Sequence, residues 1–87
     1  MVKTRSKAEL IVRRPGVQGG EPVIRGTRVP VRSVALARDE DGLEAAAIAR
    51  EFCVDLTAVE AALTYYDTHK SEIGRIINRH ERETHGT

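Results

Sequence analysis

Arginine side chains are the groups in this chain whose type and spacing are best suited to chemistry. Arg25, Arg28 and Arg32 lie in and just after a segment, residues 20–31, that contains two glycines and two prolines. Glycine permits a turn at Gly26 and proline restricts the backbone, so the arginines are held on a stiff scaffold. Planar guanidinium groups that stay charged suit the recognition of phosphate or carboxylate. The alternative is a solvated loop that only joins a strand to a helix.

A second group of arginines lies near the end of the chain. Arg75, Arg79 and Arg82 follow one another at spacings of four and three residues, which places them along one face of a helix. The spacing does not say what that face contacts. The alternative is an exposed helix whose arginines pair with neighbouring glutamates and contribute little to stability.

Charge is divided unevenly along the 87 residues. The chain through Arg38 holds nine basic and two acidic residues, whereas the remainder holds five basic and eleven acidic ones. The formal net charge of +1 therefore conceals a basic first part and an acidic second part. A one-sided basic surface is typical of nucleic-acid binding, and the N-terminal Lys3, Arg5 and Lys7 would extend it. Segregation without function and head-to-tail attraction between copies are the alternatives.

Catalytic and metal-binding patterns are weak. The three histidines, His69, His80 and His85, share no metal-ligand spacing, and the run from Asp39 to Asp41 is explained by a helix boundary. The single cysteine, Cys53, is expected to be a small buried hydrophobic residue. No apolar run approaches the length of a membrane span or a signal peptide. We therefore expect a cytoplasmic protein that is not an enzyme and holds no metal or cofactor.

The positions of apolar and turn-forming residues predict an α+β fold that is mostly helical. A short N-terminal β-ribbon is expected, with residues 10–12 as the first strand and residues 27–29 as its partner. A hairpin around Gly26, with Val23 and Ile24 as one arm, is the alternative. The domain is expected to span residues 10–78, between a basic arm (1–9) and a polar tail (79–87).

Four helical segments follow the ribbon. The first contains Val31 and stops in the acidic run before Gly42. Two capping boxes are predicted to open the second and third helices, and the third is expected to reach about Thr68. Their helix-starting pairs are Asp41 with Glu44 and Thr57 with Glu60. The last segment is expected from Ser71, with Ile73, Ile76 and Ile77 turned inward.

The second and third helices, joined by a short connection from Cys53 to Leu56, form a helix-turn-helix pattern. Cys53 stands near the place of the usual turn glycine. The third helix is a poor reader of DNA, because it exposes acidic and hydroxyl side chains and no basic residue. DNA contacts are therefore expected from the first arginine group and the N-terminal arm instead.

The motif Gly20-x-Pro22-Val23-Ile24-x-Gly26-Thr27-Arg28-Val29-Pro30-Val31 resembles the signature of a small bacterial and archaeal family, domain of unknown function 433. The resemblance extends from about Leu10 to about Ile73. It implies a helix-turn-helix-type fold and a role as antitoxin beside a PIN-like nuclease toxin. It also motivates a toxin-binding role for Arg75, Arg79 and Arg82, since such nucleases hold metal ions with clustered carboxylates.

The functional prediction is therefore a type II antitoxin that neutralises a PIN-like ribonuclease and binds its own operator DNA. A homodimer is expected, because two strands alone are marginal in water and would leave apolar edges uncovered. The alternatives are a stand-alone DNA-binding transcriptional regulator and a protein-interaction adaptor that binds no DNA.

Overall fold

A short β-ribbon precedes four helices, and this order confirms the predicted α+β, mostly helical fold. A computed structural model describes the backbone of residues 7–85 and the side chains of residues 9–81. After a 3-10 turn (Lys7–Leu10), strand β1 (Ile11–Val12) pairs antiparallel with strand β2 (Val23–Ile24). The helices are α1 (Val31–Asp39), α2 (Ala45–Phe52), α3 (Leu56–Thr68) and α4 (Lys70–His85).

The second strand differs from the preferred prediction, which placed it at residues 27–29. Val23 and Ile24 form it instead and pair with β1. The alternative hairpin around Gly26, with Val23 and Ile24 as one arm, is present as a single antiparallel bridge between Val23 and Pro30. The Thr27 N–H donates to the Ile24 carbonyl at 3.0 Å, and Gly26 between them has a φ of 78°. β2 prevails because its two side chains are fully buried, whereas Thr27 and Arg28 belong to the turn that brings the chain back alongside it.

The two predicted capping boxes are not formed. α2 begins after Glu44 and α3 begins after Asp55, and neither of these N-cap residues makes a side-chain capping bond. Before α2, the chain runs back onto α1, where the Leu43 N–H donates to the Ala37 carbonyl at 3.1 Å. Because of this contact, the residues between α1 and α2 form a connection, and α2 begins later in the chain than Asp41.

Cys53 is exposed, so the prediction that it is a buried hydrophobic residue is wrong. It ends α2 in the left-handed conformation, with a φ of 57°, and its N–H donates to the last carbonyls of that helix. Glycine is the residue most often found in this position, because a Cβ is strained there. Cys53 therefore occupies the place of the missing turn glycine, as its position in the sequence indicated.

The hydrophobic core lies where β2 meets the four helices. Its fully or almost fully buried aliphatic side chains include Ile24, Val34, Ile48, Val59 and Ile73. α3 is central because it packs against the other three helices and both strands. Its three buried alanines allow the neighbouring helices to approach closely, in keeping with the tight packing of protein interiors.

An ion-pair cluster fixes the end of α1 against α3. Both terminal nitrogens of Arg38 donate to the Asp67 carboxylate, at 2.9 and 3.2 Å, and its Nε donates to Asp39 at 3.0 Å. These hydrogen bonds from Arg38 lower the pKa of Asp67 and Asp39 below the ordinary value. The guanidinium also lies over the Tyr66 ring, 5.4 Å from its centroid. Burial of Tyr66 raises the pKa of its hydroxyl.

The last helix is longer than predicted. α4 continues to His85, so residues 79–85, which were assigned to a polar tail, are helical. Ile73 and Ile76 bury its inner face against α1 and α3, as predicted. In the described part of the chain, no helix combines the length and apolar character that crossing a membrane requires.

Candidate functional site: an arginine-lined cleft

A cleft of about 320 Å³ lies between α4 and the glycine-rich loop that precedes β2. The loop contributes Gly19 and Gly20 to its wall, and α4 contributes Arg75, Ile76 and Arg79. These two walls come from opposite ends of the chain. The cleft therefore exists only because the last helix packs beside the N-terminal ribbon.

The glycine-rich loop has an unusual backbone. Gln18, Gly19 and Gly20 have successive φ values of 49°, 65° and 84°, all in the left-handed region. Residues with a side chain are strained there, which explains two consecutive glycines. The Gln18 side chain donates to the Arg28 carbonyl at 3.1 Å, so the loop is fixed to the turn that follows β2. The resulting wall of the cleft is bare backbone.

A buried carboxylate lies beneath the cleft. Glu21 is only 5% exposed, and each of its oxygens accepts a hydrogen bond. The Arg32 Nε donates to Oε1 at 3.0 Å, and the His80 Nε2 lies 3.1 Å from Oε2. Because a carboxylate only accepts, the His80 nitrogen must carry the hydrogen in this contact. Glu21 thereby joins the loop to α1 and α4.

A second network forms the rim. Arg13 makes an ion pair with Glu72 and donates to the Tyr65 hydroxyl at 2.8 Å. That hydroxyl lies 3.1 Å from the other Glu72 oxygen. The Tyr65 ring stacks on His69, with centroids 4.0 Å apart and planes 6° from parallel. Residues from α3 and α4 therefore hold Arg13, which directly follows β1, at the edge of the cleft.

The charges of the cleft do not cancel. Glu21 and Glu72 are each neutralised by the arginine that contacts them, Arg32 and Arg13 respectively. Arg75 and Arg79 are exposed, and neither forms an ion pair with any side chain that the structure describes. Among the described side chains, the cleft consequently presents two guanidinium groups without an ion-pair partner, which suit an anionic group with several acceptor oxygens.

The predicted toxin-binding arginines fall partly in this site. Arg75 and Arg79 line the same cleft, whereas the side chain of Arg82 lies outside the described side chains. Arg13, Glu21 and Glu72 were not predicted as site residues. A glycine-rich loop beside charged residues was a signal for Glu21, but nothing local connects Arg13 with Glu72, 59 residues away.

The predicted DNA-binding residues are separated by the fold. Arg25 and Arg28 are exposed on the turn after β2, and the Arg25 Nε donates to the Glu9 carbonyl at 2.8 Å. Arg32 is mostly buried, because its guanidinium pairs with Glu21. Within the described side chains, the DNA-contact hypothesis therefore keeps the two arginines of the turn. Lys3 and Arg5 lie outside the described residues, and only the backbone of Lys7 is described.

Metal-binding geometry is absent from the part of the chain that the structure describes: no three His, Cys, Asp or Glu residues come together there in an arrangement that could hold an ion. The chemistry of the cleft is accordingly derived from its guanidinium and carboxylate groups.

Comparison with known protein families identifies the relatives of this chain. The family described as "Protein of unknown function (DUF433)" matches residues 11–66. The chain belongs to this family. A crystal structure of a DUF433 member from Anabaena variabilis ATCC 29413 is similar, with a TM-score of 0.71 and 30% sequence identity. The match covers 79% of this chain and 68% of that chain. Among curated proteins, none matches.

The residues matched by the family include only part of the cleft lining. Residues 11–66 contain the ribbon, the glycine-rich loop and α1 to α3 almost to its end, but not α4. Arg13 and Glu21 thus lie within the matched region, whereas Arg75 and Arg79 lie beyond it.

Proposed function

We propose that this DUF433 protein is the antitoxin of a type II toxin–antitoxin system, and that it neutralises a PIN-like ribonuclease. The observation that supports this best is that Arg75 and Arg79 line one cleft and form no ion pair with any described side chain. The resemblance of the sequence to antitoxins supplies the class of partner. Nucleases of the PIN type hold metal ions with clustered carboxylates, and guanidinium groups match carboxylates in a bidentate way.

The acidic helices are poorly suited to meet such a nuclease. α3 exposes Glu60, Thr64, Asp67 and Thr68, and its own sequence contains no basic residue between Thr57 and His69. Asp67 is paired with Arg38 of α1, which leaves Glu60 as the exposed carboxylate of α3 without such a contact. Like charges placed together in a desolvated interface would be driven apart. The arginine-lined cleft is therefore the surface that we assign to the toxin.

A DNA-binding role is the second candidate, and the turn after β2 favours it. The Thr27 hydroxyl donates to the Ile24 carbonyl at 2.8 Å and accepts a hydrogen bond from the Val29 N–H at 3.0 Å. These bonds fix the backbone of the turn that carries the exposed Arg25 and Arg28. In this hypothesis α2 and α3 form a helix-turn-helix that has only a structural role. The operator phosphates contact Arg25 and Arg28 on the turn after β2. An adaptor that binds no DNA would keep the same helices without this contact.

A two-fold dimer is part of the same proposal. The ribbon has only two residues in each strand, and Leu10, Val12 and Val29 along it are only partly buried within one chain. Pairing of ribbons from two copies would cover these side chains. Sedimentation at high micromolar concentration should give the mass of a dimer, and a monomer at that concentration would contradict this part.

Co-expression with a PIN-like nuclease encoded beside this chain tests the proposal. The wild-type protein should restore growth of cells that express the nuclease. The double variant Arg75→Ala/Arg79→Ala should not, while remaining folded, because both side chains are exposed. Arg50→Ala removes an exposed arginine from α2 and serves as the matched control. Full rescue by the double variant would move the inhibitory contact elsewhere.

A further inference from the structure

The cleft holds the elements of a site for a small oxyanion. We propose that it binds a carboxylate or phosphate group between Arg75 and Arg79, and that Glu72 competes with this group for Arg13. The inference rests on the proposed function, since it concerns the same cleft, but it names the ligand chemistry and adds an internal competitor. No nuclease is needed to test it.

Size and shape fit a small acidic group. A volume of about 320 Å³ is near the lower end of small-molecule sites. A side chain at Gly19 or Gly20 would meet no other atom within 4 Å at its Cβ, so open space lies beside both glycines. Two arginines four residues apart on α4 face this space from the other side. One oxyanion can therefore contact guanidinium groups that lie on neighbouring turns of the helix.

The buried carboxylate below does not repel such a ligand. Glu21 is engaged by Arg32 and His80 on both oxygens, so its charge is balanced by groups behind the cleft wall. The charged groups that line the cleft are then Arg75, Arg79, the pair formed by Arg13 and Glu72, and Glu21 with its charge balanced by Arg32.

In the protein without ligand, the Glu72 carboxylate occupies the position on Arg13 that the oxyanion would take. This carboxylate, from the first turn of α4, occupies the Arg13 guanidinium and contacts the Tyr65 hydroxyl. The Arg13 side chain is half exposed, and ion pairs of this kind contribute little to stability. An incoming oxyanion can thus replace Glu72 on Arg13 at small cost. Removing the charge of Glu72 would free a third arginine for the ligand.

Amide NMR titrations of the full chain at constant ionic strength provide the test, with inorganic phosphate in one arm and succinate in the other. Shifts that saturate should map to Gly19, Gly20 and residues 75–79. Arg79→Ala should weaken binding by about tenfold or more, because it removes a charge-assisted contact. Arg50→Ala, the control, should leave affinity unchanged.

Glu72→Gln should tighten binding by about fivefold, the effect of releasing one exposed ion pair. Tyr65→Phe is a second variant that loosens the same network without changing the charge, and it should tighten binding in the same direction. Circular dichroism melts establish that each variant is folded before titration.

The outcomes separate this inference from the proposed function. Saturable binding of either anion, together with tighter binding by Glu72→Gln, supports the site. The anion that binds with higher affinity shows whether the site prefers phosphate or carboxylate. A clear preference for phosphate would count against nuclease carboxylates as the occupant, while leaving the site in place. Absence of saturable shifts in both arms, for the wild type and Glu72→Gln alike, would overturn the inference even if the nuclease were inhibited.

Discussion

At the scale of single residues, Glu21 shows how a buried charge organises this small protein. A carboxylate that is 5% exposed is tolerated because Arg32 and His80 occupy its two oxygens. Removing one partner of a buried pair leaves the other charge uncompensated, which costs much more than the pair itself contributes. Glu21 therefore positions α4 beside the glycine-rich loop, and the cleft depends on it.

Glu21→Gln should lower the free energy of unfolding by about 3 kcal/mol, because the mostly buried Arg32 loses its counter-charge. Urea denaturation at neutral pH measures this change. Glu60→Gln, which alters an exposed carboxylate of α3, should change the free energy by less than about 0.5 kcal/mol. Equal losses in the two variants would show that the pairing of Glu21 is not structural.

Arg38 gives a prediction about pH. It holds the pKa of Asp67 and Asp39 below their ordinary 3.8, so its contribution to stability is complete above that pH. The contribution is lost as the pH falls through the lowered values. The difference in urea midpoint between the wild type and Arg38→Gln should therefore be smaller at pH 2 than at pH 7. A difference that stays constant would mean that only the packing of Arg38 on Tyr66 matters.

At the scale of elements, the connection between α2 and α3 is held in a strained conformation. Cys53 has a φ of 57° although it is not glycine, and its exposed thiol donates only a long hydrogen bond, 3.8 Å, to the Arg50 carbonyl. The three residues between the helices set the angle at which α3 approaches α2. Relief of this strain should stabilise the pair of helices without altering the core.

Cys53→Gly should raise the free energy of unfolding by about 1 kcal/mol, because glycine adopts the left-handed conformation without a Cβ penalty. Cys53→Ala is the matched control, since it removes the thiol but keeps the Cβ. Thermal unfolding followed by circular dichroism distinguishes the two variants. A similar gain in both would assign the effect to the thiol rather than to the backbone.

The helices were predictable from apolar spacing, whereas the details at their ends were not. Ile73 and Ile76 of α4 are buried as their spacing indicates. The start of α2 was misplaced because the contact of Leu43 with α1 is tertiary and overrides a local capping pattern. Of the residues that line the cleft, only Arg75 and Arg79 of α4 could be predicted from the sequence. The other wall depends on contacts such as that between Glu21 and His80, which are 59 residues apart. No local pattern encodes such a pairing.

At the scale of the whole molecule, six of the arginines are found in three different environments. Arg25 and Arg28 are exposed on the turn, Arg32 and Arg38 are engaged in ion pairs with acidic residues, and Arg75 and Arg79 line the cleft. The excess of basic residues in the first part of the chain therefore overstates the surface that is free for a polyanion.

The turn gives the prediction for DNA. Arg25→Ala and Arg28→Ala should each weaken binding of duplex DNA similarly for all sequences, because phosphate contacts carry no sequence information. Each should also reduce the salt dependence of the binding constant by about one unit of slope. Arg50→Ala is the control of equal charge. Unchanged affinity of the double variant at low salt would remove the turn from any DNA interface.

Calorimetric titration of the purified chain with a PIN-like nuclease encoded beside it measures whether the arginine-lined cleft binds an acidic partner. Reversing the charge in Arg75→Glu/Arg79→Glu should weaken binding by at least about a hundredfold, since two carboxylates would then face those of the nuclease. Arg50→Glu, with a reversed charge on α2, should bind within about threefold of the wild type. Equal dissociation constants for the wild type and the double variant would contradict the account.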